Sequence, residues 1–328
     1  MAGVKRLLEM SPSGWYCAAG DFYIDPCRGV ARAVITHAHS DHARPGSQSY
    51  LTSVTGAVVL RERVAKRARI EPTAFGEPVM INGVKVTLHP AGHILGSAQV
   101  RVEHRGEVWV VSGDYKTERD PTCEPFEPVR CHTFITENTF GRPVFQWRPQ
   151  VDVFAEINAW WRANRARGVT SVIGAYALGK AQRLVAGVDH TIGPVVVSAA
   201  VWQFVEAYER AGIALPRVER TVTPGCLVVG EIPRGTDPAP VERAFASGWM
   251  QLPYAHKRFG VARGFVLSDH ADWPGLIATV RATGAEQIIA THGDGREFVR
   301  WLQQQGWLAR MVSERYDPQR EFEFADGD

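Results

Sequence analysis

Hydrophobic residues in the first 140 positions come in short runs separated by polar ones. Val84-Lys85-Val86-Thr87-Leu88 alternates strictly, as does Val100-Arg101-Val102, and the stretch 108–111 does so in part. Period-two alternation marks half-buried strands, so this stretch predicts a β-rich region. One helix is expected over 56–69, ahead of Pro72. The texture changes after Gly141. Residues 154–165 read as an amphipathic helix, Ser171-Val172-Ile173-Gly174 as a short buried strand, and 179–186 as the next helix. Pro194-Val195-Val196-Val197 followed by a helix over 202–211 repeats this rhythm, which predicts a small parallel sheet. Phe265-Val266-Leu267 and 287–290 read as strands, each followed by a helix, that rejoin the first region. There is no internal repeat and no low-complexity segment, and the acidic end 322–328 is expected to fray.

At 328 residues the chain holds one large or two modest domains with a sizeable core. Its 45% hydrophobic and 22% charged content are those of a soluble globular protein. No apolar run approaches the roughly 18 residues of a membrane helix. The opening Met1-Ala2-Gly3-Val4-Lys5-Arg6 lacks the apolar stretch of a signal peptide. Cys17, Cys27, Cys123, Cys131 and Cys226 are odd in number and have no C-x-x-C spacing, so they read as reduced thiols of a cytoplasmic protein. The net charge of +2 is divided unevenly: 142–263 carries +6 and the remainder −4. A basic region beside an acidic one suits a phosphate backbone, although a scattered Arg-rich surface reads the same way.

Candidate chemistry is concentrated at Thr36-His37-Ala38-His39-Ser40-Asp41-His42, directly after the β-rich run ending at Ile35. Residues two apart at a strand end point the same way, so His37 and His39 can grip one metal while Asp41 and His42 reach a second. His93 lies in the Gly-punctuated turn Pro90-Ala91-Gly92-His93-Ile94-Leu95-Gly96-Ser97. Asp114 follows the strand 108–111, and His292 follows the apolar run Ile288-Ile289-Ala290. An acid or histidine just past a strand is where α/β proteins build sites. A two-metal site about 3.5–4 Å across needs a bridging oxygen ligand. Asp114 is the candidate bridge, with His37, His39 and His93 completing the first site and Asp41, His42 and His292 the second. Imidazole and carboxylate suit two divalent ions, zinc first and manganese second. Asp25, before Pro26, either orients a ligand histidine or caps a turn.

With these residues the chain resembles the metallo-β-lactamase superfamily, and more narrowly the β-CASP nucleases. Phe134-Ile135-Thr136-Glu137-Asn138-Thr139-Phe140-Gly141 looks like the acidic motif A of that branch. Leu267-Ser268-Asp269-His270-Ala271-Asp272 looks like motif B, and Thr291-His292-Gly293 like motif C. The opening Gly14-Trp15-Tyr16-Cys17 with Gly20-Asp21-Phe22-Tyr23-Ile24-Asp25-Pro26, together with Ala43-Arg44-Pro45-Gly46, is similar to the bacterial ligase-associated DNA exonucleases. These are relatives of the eukaryotic crosslink-repair nucleases and Artemis. The resemblance covers nearly the whole chain.

It implies an α/β fold: a four-layer αββα sandwich, 1–141 and 265–328, interrupted by an α/β β-CASP insert at 142–264, with the site in the cleft between the two lobes. It implies metal-dependent hydrolysis of DNA in repair, from the 5′ end, with functional association to an ATP-dependent DNA ligase and a helicase and no membrane. Asp41, His270 and Glu137 become catalytic candidates, His270 as general acid oriented by Glu137. Lys180, at a predicted helix start, would suit a terminal phosphate, with Ser268 beside it. Tyr176 or Trp249 would stack on bases, although packing roles are the plainer reading. The repair members of the branch generally lack the motif C histidine that RNA-processing members have, so His292 keeps a ribonuclease in view. A thioesterase or lactamase on the same scaffold and a non-catalytic nucleic-acid-binding module are the remaining alternatives. Asp269 and Asp272 read as either site or structural residues. His89, His104, His132, His190 and His256 fit no ligand pattern.

Overall fold

The computed structural model describes residues 6–65, 67–231 and 240–312. The acidic end 322–328 lies outside the described residues. The chain divides into two compact units, one comprising 1–119, 123–143 and 270–328, the other 120–122 and 144–269.

The first unit opens with β1 (Glu9–Ser11), β2 (Gly14–Cys17), β3 (Phe22–Ile24), β4 (Arg32–Val34) and β5 (Ser49–Ser53). Helix α1 (Val54–Arg63) and β6 (Arg69–Thr73) follow. The six strands lie side by side in sequence order, antiparallel through β3 and parallel from there on. Next come β7 (Pro78–Ile81), β8 (Val84–Pro90), β9 (Ala98–His104), β10 (Glu107–Val111) and β11 (Thr133–Glu137).

The second unit contains α2 (Gln150–Ala166), β12 (Thr170–Gly174), α3 (Lys180–Gly187), β13 (Val195–Val197) and α4 (Ala199–Arg210). It continues with β14 (Leu227–Val229), β15 (Val241–Ala246), α5 (Ala255–Arg258) and β16 (Arg263–Phe265). Its five strands form a wholly parallel sheet in the order β13-β14-β12-β15-β16. Val153, Ile157 and Trp161 of α2 pack with Ile173, Leu184 and Val229 in its core. The chain then returns to the first unit through α6 (Trp273–Thr283), β17 (Gln287–Thr291), α7 (Arg296–Gln304) and β18 (Leu308–Met311). There the seven-stranded sheet runs β18-β17-β11-β10-β9-β8-β7, parallel from β18 to β10 and antiparallel beyond.

Alternation decides how the first unit packs. Val84, Val86, Leu88, Val100, Val102, Trp109 and Val111 face one way and share a core with Trp15, Phe22, Ile24, Val34 and Leu51 of the first sheet. Val108, Val110, Phe134, Ile288 and Ala290 face the other way, against Leu276 and Val280 of α6 and Phe298 and Leu302 of α7. The two sheets are therefore stacked, and the second also carries helices on its outer face. The strands β4, β10, β11 and β17 end at the same kind of position, a carboxyl end opening into a loop.

Two expectations need correction. The helix expected over 56–69 is α1, Val54–Arg63. Ser53 caps its start by accepting from the Gly56 amide, and Val64 is already extended. Pro72 does not merely stop a helix; it lies within β6, opposite Thr52, on an edge strand where a missing N–H is tolerated. The strand expected at 265–267 is β16. It pairs with β15 in the parallel sheet rather than rejoining the first unit. Neither β14 nor β15 was expected: Leu227-Val228-Val229 is only three residues long, and Val241-Glu242-Arg243-Ala244-Phe245-Ala246 carries two charges within a six-residue strand.

Candidate metal centre

Every candidate ligand stands on a loop just past a strand of the first unit. After β4, the Ile35 amide still bonds to Leu51, and the amides of His42 and Ala43 bond back to the His39 carbonyl. This turn folds His37, His39, Asp41 and His42 around one point. His93 sits in a turn closed by Ser97, whose hydroxyl accepts from the amides of His93 and Ile94 at 3.0 and 3.3 Å. Two glycines allow the close approach. A Cβ on Gly92 would stand 2.3 Å from the Lys116 carbonyl, and one on Gly113 would stand 2.6 Å from Thr36 Cβ. Both have positive φ, at 74° and 56°. Asp25 and His292 take positive φ without being glycine, at 45° and 57°. Strain of this kind, about 1–3 kcal/mol each, persists where surrounding structure over-determines it.

His37 Nε2 and His93 Nε2 each lie 3.1 Å from His39 Nδ1. Asp114 Oδ2 lies 3.5 Å from His37 Nε2, 3.7 Å from His93 Nε2 and 3.6 Å from His42 Nε2. Ligand atoms 2.0–2.1 Å from a tetrahedral zinc stand about 3.3 Å apart. One group, His37, His39, His93 and Asp114, and a second, His42, Asp114 and His292, each have their ligand atoms within 4.8 Å of one another. Asp114 belongs to both. Asp41 stands at the rim, its Oδ2 3.4 Å from His42 Nε2.

Asp114 Oδ1 and His292 Nε2 are buried with no hydrogen-bond partner. A buried acceptor left bare costs about 1–3 kcal/mol, and two of them aimed into one cluster fit a cation. The electrostatics agree. Burial, then the neighbouring His42, His39 and His93, holds the His37 pKa well below its usual value, keeping the ring neutral as a ligand must be. Burial opposes charge on His42, yet Asp41, Asp114 and Asp25 outweigh it and lift its pKa to about 10. Burial and then the nearby Glu137 charge raise the Asp114 pKa against the pull of the histidines. Positive charge is wanted at this point, and a proton on His42 occupies the place a metal would take.

Asp25 resolves in favour of orientation. It accepts from His42 Nδ1 at 2.7 Å and from the Thr36 amide at 2.8 Å, which directs His42 Nε2 toward Asp114 and Asp41. Replacing Asp25 with Asn keeps a side chain tolerant of positive φ but removes the carboxylate. We expect D25N to weaken metal binding 10- to 100-fold, read by competition with a chromophoric chelator. Unchanged affinity would reduce Asp25 to a turn residue.

His270 Nδ1 lies 2.8 and 3.0 Å from the Glu137 oxygens, so Glu137 and His270 meet although 133 positions separate them. Glu137 is fully buried and also accepts from the Tyr115 amide at 2.7 Å and the Thr139 hydroxyl at 2.6 Å. Burial raises its pKa, but the His270 charge and these donors outweigh that and keep it ionised. A third close group, Asp114, Glu137 and His270, places this pair against the metal ligands. The His270 side chain keeps 20% of its surface exposed, open to an incoming group. Thr36, Tyr115 and Thr139 were not singled out from the sequence. Only Thr139, two residues after Glu137, carried a local signal.

The candidate phosphate-binding residues lie in the second unit. Lys180 is buried and paired with Asp269 at 2.8 Å, its ammonium 4.8 Å from the Tyr176 ring centroid. Tyr176 is 39% exposed. Ser268 is buried, and its carbonyl accepts from Arg183. Asp272 caps α6 by accepting from the Gly275 amide. Trp249 packs edge-on against Phe145. His104, His132 and His190 are held in backbone hydrogen bonds, while His256 is exposed on α5. All five cysteines are free.

No family model matches the chain. A probable DNA ligase of Opitutus terrae is 30% identical over 313 residues, 92% of this chain and 30% of that protein. Endoribonuclease YSH1 of Saccharomyces cerevisiae is 29% identical over 123 residues, 37% of this chain and 16% of that protein. The chain belongs to the β-CASP branch of the metallo-β-lactamase superfamily. It spans less than a third of the length of either of these two relatives. A solved structure of a protein of unknown function from Enterococcus faecalis superposes with a TM-score of 0.56 at 12% identity, over 87% of this chain and 79% of that one, a likeness of fold alone. Among the described residues no helix is long and apolar enough to cross a membrane.

Proposed function

We propose that this chain is a metal-dependent nuclease that removes nucleotides from DNA, working from the 5′ end in repair. The observation that carries it is the meeting of two buried ligand groups at Asp114, with the Glu137–His270 pair against them. In this reading the first unit is the four-layer αββα metallo-β-lactamase sandwich, and the β-CASP insert occupies about 142–264. His37, His39, His93 and Asp114 would hold one divalent ion, and Asp41, His42, Asp114 and His292 the other, zinc in first place and manganese in second. Such ions supply a water acidic enough to attack phosphorus near neutral pH.

The chain's own part is proton transfer and alignment. Glu137 fixes the His270 Nδ1 proton and supports an imidazolium. That leaves Nε2 to protonate the departing oxygen. Asp25 aligns His42. A terminal-phosphate role for Lys180, Ser268 and Tyr176 rests on the family resemblance, and the buried Asp269 partner of Lys180 argues that its charge is already balanced.

The relative named as a probable DNA ligase favours DNA and a working association with a ligase, since the match covers a segment of a longer protein; the helicase rests on the resemblance alone. The second reading, an RNA-processing nuclease, is favoured by His292 and by the relative named as an endoribonuclease. Matched single-stranded DNA and RNA oligonucleotides, labelled at the 3′ end and bearing a 5′-phosphate or 5′-hydroxyl, separate them. We expect DNA to shorten stepwise from its 5′ end with zinc or manganese present. Faster cleavage of RNA would overturn the DNA reading, and an effect of the 5′-phosphate would return Lys180 to the site.

A further inference from the structure

A cavity of about 440 Å³ lies on the outer face of the seven-stranded sheet, lined by none of the candidate metal ligands. Its floor follows from strand register. Pro78 of β7, Thr87 of β8 and Arg101 of β9 form one row across three strands. Lys85 and His89, two residues either side of Thr87, point to the same face. Val129 and Arg130, from the segment leading into β11, close one side. Lys85 and Arg101 on the strands and Arg130 on the flanking segment thus line one cavity.

The balancing carboxylate is Glu103, which takes Lys85 at 2.8 Å and one Arg101 nitrogen at 2.5 Å. A guanidinium has five N–H donors, so Arg101 keeps others for a ligand. Among the described residues no carboxylate pairs with Arg130. His89 Nε2 is buried without a hydrogen-bond partner. Burial, and then the Arg101 charge, lowers the His89 pKa against a smaller pull from Glu127, so the ring is neutral and has one N–H to give. Pro78 and Val129 supply an apolar wall beside these donors.

We propose that this cavity binds a small phosphate monoester of nucleoside monophosphate size. Its phosphate would sit on Arg101, Arg130 and the His89 N–H, and its remainder against Pro78 and Val129. The volume lies in the range of small-molecule sites, and arginine forks match phosphate oxygens in pairs. The site stands independently of the nuclease reading, since none of its residues is a candidate ligand or acid.

The test is calorimetric titration of the full chain carrying D114N, so that the metal centre does not compete, with and without R101Q or H89A. The probes are deoxyadenosine monophosphate, inorganic phosphate and deoxyadenosine. We expect saturable one-site binding of the monophosphate, weakened at least about tenfold by R101Q and by H89A, with inorganic phosphate and deoxyadenosine both weaker. Thermal melting confirms folding of each variant, with R101K standing in if R101Q does not fold. Absence of saturable binding, or binding untouched by R101Q, overturns the site. Inorganic phosphate binding as tightly as the nucleotide overturns the monoester assignment.

Discussion

Replacing Asp114 with alanine is expected to abolish nucleotide removal, lowering the rate by roughly 10⁴-fold, or about 5.5 kcal/mol of transition-state stabilisation. No other candidate ligand belongs to both groups. Its Oδ2 stands 3.5 to 3.7 Å from three imidazole nitrogens of two different groups, and its Oδ1 is buried and bare. Loss of any single histidine would leave one group whole. Loss of Asp114 depletes both and leaves His37 and His93 without the carboxylate they share with His42, which keeps Asp41 and Asp25. The expected signature is loss of bound metal, measured by elemental analysis after dialysis, together with loss of cleavage and retention of oligonucleotide binding. D114N should behave likewise, since an amide oxygen lacks the charge a shared ligand brings. Cleavage at full rate in either variant would sink the two-metal assignment, and metal retained at wild-type content would move the bridge to another residue.

What could be read from the chain was whatever chemistry is local. His37, His39, Asp41 and His42 lie within six positions, and the strand-end settings of His93, Asp114 and His292 are visible as apolar runs that stop. The contacts that join them are not local. Asp25 and His42 are 17 positions apart and Glu137 and His270 are 133 apart, and only a register between strands can bring such pairs together. The resemblance, not the spacing, suggested the second pair. At Lys180 the legible part is the helix start, and α3 begins there with Gly179 before it; the burial of its charge against Asp269 is not legible. The same limit applies to α1. Nothing in its composition shows that residues past Arg63 must leave the helix so that β6 can pair with β5. Charge within a strand, as in β15, defeats pattern reading because packing decides what a strand tolerates.

The Glu137–His270 pair carries the second large effect. Removing the imidazole with H270A is expected to slow DNA cleavage by about 10²- to 10⁴-fold while leaving metal content unchanged. The reason is the leaving group. An alkoxide departing from a deoxyribose is a poor leaving group, so its proton matters. A nitrophenolate departs without one. The same variant should therefore lose less than about tenfold on a nitrophenyl ester of thymidine 5′-phosphate. A merely structural histidine would slow both substrates alike. E137Q tests the other half of the pair. The amide that replaces the carboxylate can still bond to one ring nitrogen but cannot offset an imidazolium. The DNA reaction should therefore fall by a smaller factor in the same direction, and the nitrophenyl reaction should again be spared. Because Glu137, His270 and Asp114 also form a close group, metal content must be measured in both variants. A fall in bound metal would make His270 or Glu137 a ligand. Equal slowing on both substrates with metal intact would remove the general acid from His270.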